Sequence, residues 1–299
     1  MRVPRGPYHL HAEVRPGSGP AVVLLHGLPD NLHLYDRVVP LLPGRCVVRF
    51  DFLGWGRSDK PARYPYTADN QAGDLLAVLD HLELRDVVLV AHDASGPPAI
   101  DVALMQPERV ARLVLLNTYY HATVGLRRPP AIALYSTPGL GPLAQALARR
   151  RPALHRRLFH WQVGRFIRDP AQRGPIVSRL WADFPAETPA FWRLNDDLLG
   201  TVLRRRRRLP DLRRFDRPVD ILFGAADRYL NPRVALAFVR AFPDARLRLV
   251  PGAGHYVQVD APEAVASVLL DQGPAQLPHR DAATSRVPAS PSRGRPAEW

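Results

Sequence analysis

The chain has 299 residues, of which 46% are hydrophobic and 23% are charged, a composition typical of a globular protein with one large core. Its only cysteine is Cys46, which excludes an intramolecular disulfide framework and favours a reducing compartment. No apolar run approaches the roughly 20 residues that cross a bilayer, and Met1 to Gly17 lacks the apolar core of a signal peptide. We therefore expect a soluble cytoplasmic protein with no membrane partner.

The net charge of +13 comes almost entirely from arginine, because Lys60 is the only lysine. The longest basic run is Arg204 to Arg208, with Arg213 and Arg214 close behind it. Such a run can bind nucleic acid or an anionic surface, but no aromatic residues interleave it and no nucleic-acid-binding motif accompanies it. We expect a solvated helix face or loop here, and no nucleic-acid partner.

The first part of the chain alternates strand-like apolar runs with helical periodicity. The strand-like runs are Tyr8 to Val14 (expected at a sheet edge), Ala21 to Leu25, Arg45 to Phe50, Val87 to Ala91 and Ala111 to Leu116. The helical stretches run from Asp30 or Asn31 to about Leu42, from Thr67 to Leu82, and to Gln106. Strands and helices at this spacing predict an α/β fold with a mostly parallel sheet covered on both faces.

The pattern changes after residue 117. Helical fragments rich in proline and arginine extend to about residue 218 and contain three tryptophans, Trp161, Trp181 and Trp192. Strand patterns return at Val219 to Phe223 and Leu247 to Val250, with helices predicted at Pro232 to Phe242 and Glu263 to Leu270. We predict a core formed by residues 1–117 and 219–271, a helical lid inserted at residues 118–218, and a disordered tail at residues 272–299.

The stretch from Val87 to Ala99 has the pattern of a sharp strand-to-helix turn centred on Asp93. Small residues flank Asp93, namely Ala91, Ser95 and Gly96. Two prolines, Pro97 and Pro98, fall where the first helical turn is expected. This is the spacing of a nucleophile elbow, with aspartate where serine is more usual. Ser95 is out of register for that role. Taken alone, the stretch also fits an aspartate that caps a helix.

Two further polar residues follow strand ends beyond the predicted lid. Asp227 comes after the strand that ends at Phe223, and His255 comes after the strand that ends at Val250. Ligands of open α/β sheets bind outside the carboxyl ends of the strands, and Asp93, Asp227 and His255 occur in the order nucleophile, acid, histidine. We therefore predict a catalytic triad.

The tetrapeptide from His26 to Pro29 supplies a fourth element. The backbone N–H groups of Leu28 and Ala94 would together form an oxyanion hole. Gly27 would permit the close approach of the backbone, and Pro29 would fix the turn.

With these residues in place, residues 8 to 271 resemble the α/β-hydrolase superfamily. The pair His92–Asp93, the loop Asp51 to Pro61 and the region Gly254 to Pro262 resemble its aspartate-nucleophile branch of epoxide hydrolases and haloalkane or haloacid dehalogenases. The resemblance implies that Asp93 attacks an sp³ carbon, and that His255, oriented by Asp227, activates the water that hydrolyses the resulting ester. It implies no metal and no organic cofactor. The expected partners are a small apolar organic substrate and water.

The leaving atom distinguishes the two activities. Dehalogenases of this branch hold the halide with a tryptophan after the nucleophile and an asparagine after the His-Gly pair, where this chain has Ala94 and Leu28. Epoxide hydrolases protonate the epoxide oxygen with lid tyrosines, for which the candidates are Tyr135, Tyr119 and Tyr120. The indoles of Trp161, Trp181 and Trp192 are candidates to hold a halide from the lid. We expect epoxide hydrolysis, with dehalogenation, ester hydrolysis and non-catalytic ligand binding as alternatives.

Overall fold

The computed structural model describes residues 1–271, so the predicted disordered tail lies outside the described residues. Eight strands form one sheet in the order β1-β2-β4-β3-β5-β6-β7-β8. They are β1 (Arg2–Arg5), β2 (Tyr8–Arg15), β3 (Ser18–Leu25), β4 (Arg45–Phe50), β5 (Val87–Asp93), β6 (Val110–Thr118), β7 (Val219–Gly224) and β8 (Ala245–Val250). All neighbours from β4 to β8 run parallel, which confirms the predicted mostly parallel sheet.

The amino-terminal edge of the sheet differs from the prediction. The run beginning at Tyr8 forms a strand, but β2 lies between β1 and β4 and is antiparallel to both. The expected edge strand is therefore the second strand. The edge is β1, whose four residues are too few, and too interrupted by proline at position 4, to give a periodic signal.

Eleven α-helices accompany the sheet in the described part of the chain. They are α1 (Ala68–His81), α2 (Gly96–Met105), α3 (Pro130–Tyr135), α4 (Leu140–Arg150), α5 (Pro152–Gly164), α6 (Pro170–Asp196), α7 (Leu198–Arg205), α8 (Leu209–Leu212), α9 (Pro232–Ala241), α10 (Val257–Asp260) and α11 (Pro262–Leu270). None of them is long and apolar enough to cross a membrane.

The helix predicted from Asp30 or Asn31 to Leu42 is wrong. Two short 3₁₀ turns occupy that stretch instead, at Leu32–Tyr35 and Val39–Leu41. Pro40 lacks the N–H that a helix interior requires, and this interrupts the stretch. The side chain of Asn31 does cap the first turn, by accepting a hydrogen bond from the N–H of His33.

The central strands form the core. Every residue from Val87 to Ala91 on β5 is at most 5% exposed. Successive side chains of a strand point to opposite faces, so both faces of the sheet are covered here. Each fully buried Val or Leu stabilises the fold by about 1.5–3 kcal/mol, and the ends of these strands are correspondingly rigid points of attachment.

Six helices, α3 to α8, lie between β6 and β7, where the sequence predicts helical fragments. The arginine run lies at the end of this segment, in and after α7. Arg204, Arg206 and Arg207 are exposed, as expected. Arg205 is not: it is 3% exposed, and its Nε donates a 2.9 Å hydrogen bond to Asp101 on α2. The interpretation of the run as wholly solvated is wrong because the buried carboxylate of Asp101 takes its counter-charge from it.

Candidate active site

Asp93 lies at the tip of a tight turn between β5 and α2. Its φ of +49° is in the left-handed region, and α2 begins three residues later. A Cβ on Gly27 would lie 2.6 Å from the Cβ of Asp93, so only glycine fits beside it. The hydroxyl of the fully buried Ser95 donates to the carbonyl of His92 at 2.7 Å, which makes Ser95 part of the turn rather than of the cavity surface.

The structure brings Asp93, Asp227 and His255 together at the carboxyl end of the sheet. His255 Nδ1 lies 2.8 Å from Asp227 Oδ2, and His255 Nε2 lies 3.8 Å from Asp93 Oδ1. The other oxygen of Asp93, Oδ2, accepts a 3.0 Å hydrogen bond from the N–H of Leu28. The predicted oxyanion-hole donor Leu28 thus already contacts the carboxylate. The catalytic roles of these residues stay predictions.

Burial and mutual charge shift all three groups. Burial raises the pKa of Asp93, partly offset by the charge of His255 and by hydrogen bonds from the N–H groups of Leu28 and Ala94. Burial would raise the pKa of Asp227 as well, but His255 and the N–H of Tyr229 outweigh it and lower that pKa. Burial alone would lower the pKa of His255, yet Asp227 and Asp93 raise it to about 9.

Asn117 is a supporting residue that the sequence analysis missed. It is the penultimate residue of β6, has a φ of +27° and is fully buried. Its Nδ2 donates to Asp227 Oδ2 at 3.0 Å, while its Oδ1 accepts the N–H of Gly224 at 2.7 Å. The N–H of Tyr229 fixes the other oxygen of Asp227 at 2.8 Å. Its position, a polar residue at the end of a buried strand, was the available signal.

Asp30, where the sequence predicts only the start of a helix, lies near the site. It is 1% exposed, and the buried phenol of Tyr256 interacts with its carboxylate. Burial and the charge of Asp93 raise the pKa of Asp30 to about 7. In the sequence, Asp30 directly follows the predicted turn from His26 to Pro29, and this position could have identified it as a second carboxyl group of the site.

A cavity of about 1100 Å³, including the part open to solvent, lies over Asp93. Helices α3, α5, α6 and α7 contribute most of its wall, which is largely apolar. Tyr119 and Tyr135 line it as predicted, and Tyr229 does so unpredicted. Burial raises the pKa of Tyr135 to about 12, and burial with the charge of Asp93 raises the pKa of Tyr119 further still. Both phenols therefore keep their protons at neutral pH.

Four of the predicted lid residues do not line this cavity. Tyr120 donates a 2.8 Å hydrogen bond to Asp101 in the core. Trp161 is 47% exposed and contacts the guanidinium of Arg165.

Trp181 and Trp192 line a separate groove on the outer side of α6. That helix turns other residues to the cavity, among them Phe191, Leu194 and Asn195. None of the three candidate tryptophans therefore lines the cavity, which places no lid indole where it could hold a halide beside Asp93. Within residues 1–271, no group of three His, Cys, Asp or Glu side chains is arranged to hold a metal ion.

Comparisons with known proteins agree with this architecture. Residues 20–262 match the family model of the alpha/beta hydrolase fold. Haloalkane dehalogenase 2 of Mycobacterium tuberculosis is 29% identical over 86% of this chain and 88% of its own length. The putative hydrolase LipZ of the same organism is 30% identical over 85% of this chain and 88% of its own. The crystal structure of Cfl2 from Burkholderia cenocepacia superposes with a TM-score of 0.76 at 22% identity, covering 88% of this chain and 92% of that one. The chain belongs to the α/β-hydrolase fold family, in which it is similar to haloalkane dehalogenases.

Proposed function

We propose that this protein is a hydrolase that forms a covalent alkyl ester on Asp93, and that its preferred substrates are apolar organic epoxides. The observation that carries the proposal is the carboxylate of Asp93 itself, which lines an apolar cavity with one oxygen held by the Leu28 N–H and the other beside His255. A carboxylate that attacks an sp³ carbon gives a stable ester, which a histidine-activated water can then hydrolyse. In this proposal residues 118–218 act as a lid over the carboxylate.

In the first step, Asp93 Oδ1 bonds to an epoxide carbon and the carbon–oxygen bond breaks. The released oxygen takes a proton from a phenol of the cavity wall. Tyr119 and Tyr135 support this step because both line the cavity and both hold their protons at neutral pH. The product is a hydroxyalkyl ester of Asp93 and a phenolate.

In the second step, His255 takes a proton from water, and the hydroxide attacks the ester carbonyl carbon. The negative charge develops on Oδ2, which the N–H groups of Leu28 and Ala94 stabilise. The ester oxygen leaves with the proton that His255 took from water. The carboxylic acid left on Asp93 then loses its proton, which restores the phenol, so that one epoxide and one water give one diol.

The charge of Asp93 couples the two steps. In the free enzyme that charge helps to raise the pKa of His255 to about 9, which keeps the imidazole protonated at neutral pH. Ester formation neutralises Asp93, so the pKa of His255 falls. The imidazole then releases its proton to solvent and can accept one from the hydrolytic water; it takes a proton back from solvent when hydrolysis restores the charge of Asp93.

Hydrolysis of a carbon–halogen bond is the second candidate, favoured by the similarity to haloalkane dehalogenase 2. A halide needs an N–H donor, and no described tryptophan lines the cavity. Gln162 lines the cavity instead. Its Oε1 accepts a hydrogen bond from the Ala131 N–H at 3.4 Å, and its buried Nε2 has no hydrogen-bond partner among the described residues. That free N–H is the group that would hold a halide here.

The variant His255→Gln tests the proposal, because it leaves the attack by Asp93 possible and blocks ester hydrolysis. The variant is incubated separately with an aryl epoxide and a bromoalkane, and intact mass and peptide mapping follow. We expect an adduct of the whole epoxide on Asp93, and none in the matched double variant His255→Gln/Asp93→Asn. An adduct equal to the bromoalkane minus HBr, without an epoxide adduct, would assign the second candidate. No adduct on Asp93 from either reagent class would contradict the aspartyl mechanism.

A further inference from the structure

The mouth of the cavity carries two arginines that the chemistry on Asp93 does not use. Arg127 and Arg128 lie between β6 and α3, line the cavity and are exposed to solvent. Within residues 1–271, neither guanidinium forms an ion pair with a carboxylate, in contrast to Arg205 with its partner Asp101. Two unpaired cations thus lie on the rim of an otherwise apolar cavity.

Hydrogen bonds hold both residues in place. Arg128 Nη1 donates to Ser136 Oγ at 2.9 Å, and that hydroxyl donates in turn to the carbonyl of Ile132 at 2.6 Å. The N–H of Arg127 donates to the carbonyl of Tyr229 at 3.2 Å. Ile132 and Tyr229 themselves line the cavity, so the Arg128 guanidinium and the Arg127 backbone are both tied to its wall.

The surroundings strengthen the positive potential at this rim. A neighbouring cleft shares Arg127 and adds Arg228 and Arg233. Among the residues that the structure describes, Asp227 is the only carboxylate lining this cleft, and both of its oxygens already accept hydrogen bonds. The field at the mouth therefore attracts an anion, whereas the interior offers side chains such as Leu158, Phe159 and Phe191.

We propose that the apolar chain of the substrate, which fills the cavity toward Asp93, carries at its far end a carboxylate that binds Arg127 and Arg128 at the mouth. Guanidinium groups match the planar, two-oxygen geometry of a carboxylate and bind it with charge-assisted hydrogen bonds. Only the identity of the reacting group near Asp93 rests on the proposed function. Recognition of the carboxylate does not.

Binding of unreactive ligands tests the mouth without any chemistry. Calorimetric titration compares decanoate with decanol on the wild type, Arg127→Gln, Arg128→Gln and the double variant. We expect each lost guanidinium to weaken decanoate binding about tenfold and to change decanol binding less than about twofold. Arg128→Lys should recover part of the loss. Arg85→Gln is the matched control, since Arg85 is exposed and precedes β5 at the opposite end of the sheet. Equal affinity for acid and alcohol, or an equal loss for both in the double variant, would overturn the proposal.

Turnover then separates this inference from the proposed function. Epoxyalkanoic acids with the epoxide at the far end of the chain are compared with their methyl esters. The double variant should raise KM for the acids and leave their kcat, and both constants for the esters, nearly unchanged. An absence of turnover with intact decanoate selectivity would reject the epoxide hydrolase and keep the carboxylate site. Turnover with no preference for acids over esters would reject the carboxylate site and keep the hydrolase.

Discussion

Two buried carboxylates lie near α2 and have opposite surroundings. Asp101, within α2, accepts hydrogen bonds at both oxygens, from Arg205 at 2.9 Å and from Arg208 at 2.7 Å, with the phenol of Tyr120 at 2.8 Å. Asp93, just before α2, accepts hydrogen bonds from the N–H groups of Leu28 and Ala94 and has Oδ1 3.8 Å from His255 Nε2. The side chain of Asp101 is 7% exposed and lines no cavity among the described residues, whereas Asp93 lines a cavity.

The comparison indicates that saturation of the acceptors, rather than burial, would distinguish a structural carboxylate from the nucleophile proposed here. A carboxylate whose oxygens are all paired has no free lone pair in position to attack a ligand, and its charge is balanced at a fixed place. Asp93 keeps an oxygen available, and its ionised form is only partly compensated, so burial raises its pKa. The two sites therefore predict different consequences for the same Asp-to-Asn change.

At the open site, Asp93→Asn should lower turnover of the best substrate by at least about 10⁴-fold, because the amide cannot act as the nucleophile. The melting temperature should fall little or rise, since the amide removes the cost of burying an ionised carboxylate whose pKa is raised. Steady-state rates and thermal melts measure the two effects. Retention of more than a hundredth of the activity would identify another group as the nucleophile.

At the closed site, Asp101→Asn should destabilise the fold by about 3–5 kcal/mol, because it leaves the buried guanidinium of Arg205 with only the exposed carboxylate of Asp69 as a counter-charge. Urea unfolding measures this change, and the folded variant should keep turnover within a few-fold of the wild type. Asp69→Asn is the matched control: Asp69 also pairs with Arg205, but its side chain is 71% exposed. That change should cost less than about 1 kcal/mol. Similar losses in the two variants would mean that the core pair contributes no more than the surface pair.

The open site was predictable from the sequence because it is built from strand ends. Apolar runs fixed where β5, β7 and β8 end, and the carboxyl ends of parallel strands meet at one edge of a sheet. Asp93, Asp227 and His255 follow those ends, so the sequence order alone brings them close. Asn117 follows the same rule at the end of β6, and it was missed because its amide supports Asp227 instead of carrying a recognised motif.

The closed site and the cavity wall were not predictable, since both depend on contacts between distant segments. Arg205 reaches Asp101 across 104 positions of sequence, and nothing in a run of arginines tells which one is buried. Helix α6 contains three internal prolines, at positions 175, 185 and 189, and its residues are apolar on more than one side. Periodicity therefore could not decide that Phe191, and not Trp181, lines the cavity over Asp93.

The two half-reactions proposed at the open site, ester formation and ester hydrolysis, should depend on pH in different ways. Ester formation needs ionised Asp93, whose pKa is raised, so kcat/KM should fall about tenfold per pH unit below that pKa. Ester hydrolysis needs neutral His255, whose pKa of about 9 in the free enzyme falls once the ester neutralises Asp93. Rapid-quench single turnovers should therefore show hydrolysis rising with pH and levelling off below pH 9. A plateau reached only above that value would show that the ester does not lower the pKa of His255.

The smallest change in activity should come from substitution of Trp161, which lies on α5 together with Phe159, a residue of the cavity wall. Phe159 is 7% exposed and lines the cavity, so Phe159→Ala should raise KM for an apolar substrate about tenfold or more, through lost contact area. Trp161→Ala should change kcat/KM by less than about twofold, because that indole is 47% exposed and lies outside the cavity. Steady-state kinetics with one epoxide compares the pair. An equal loss in both variants would mean that α5 presents its tryptophan face to the substrate, and the indole N–H would again become a candidate halide donor.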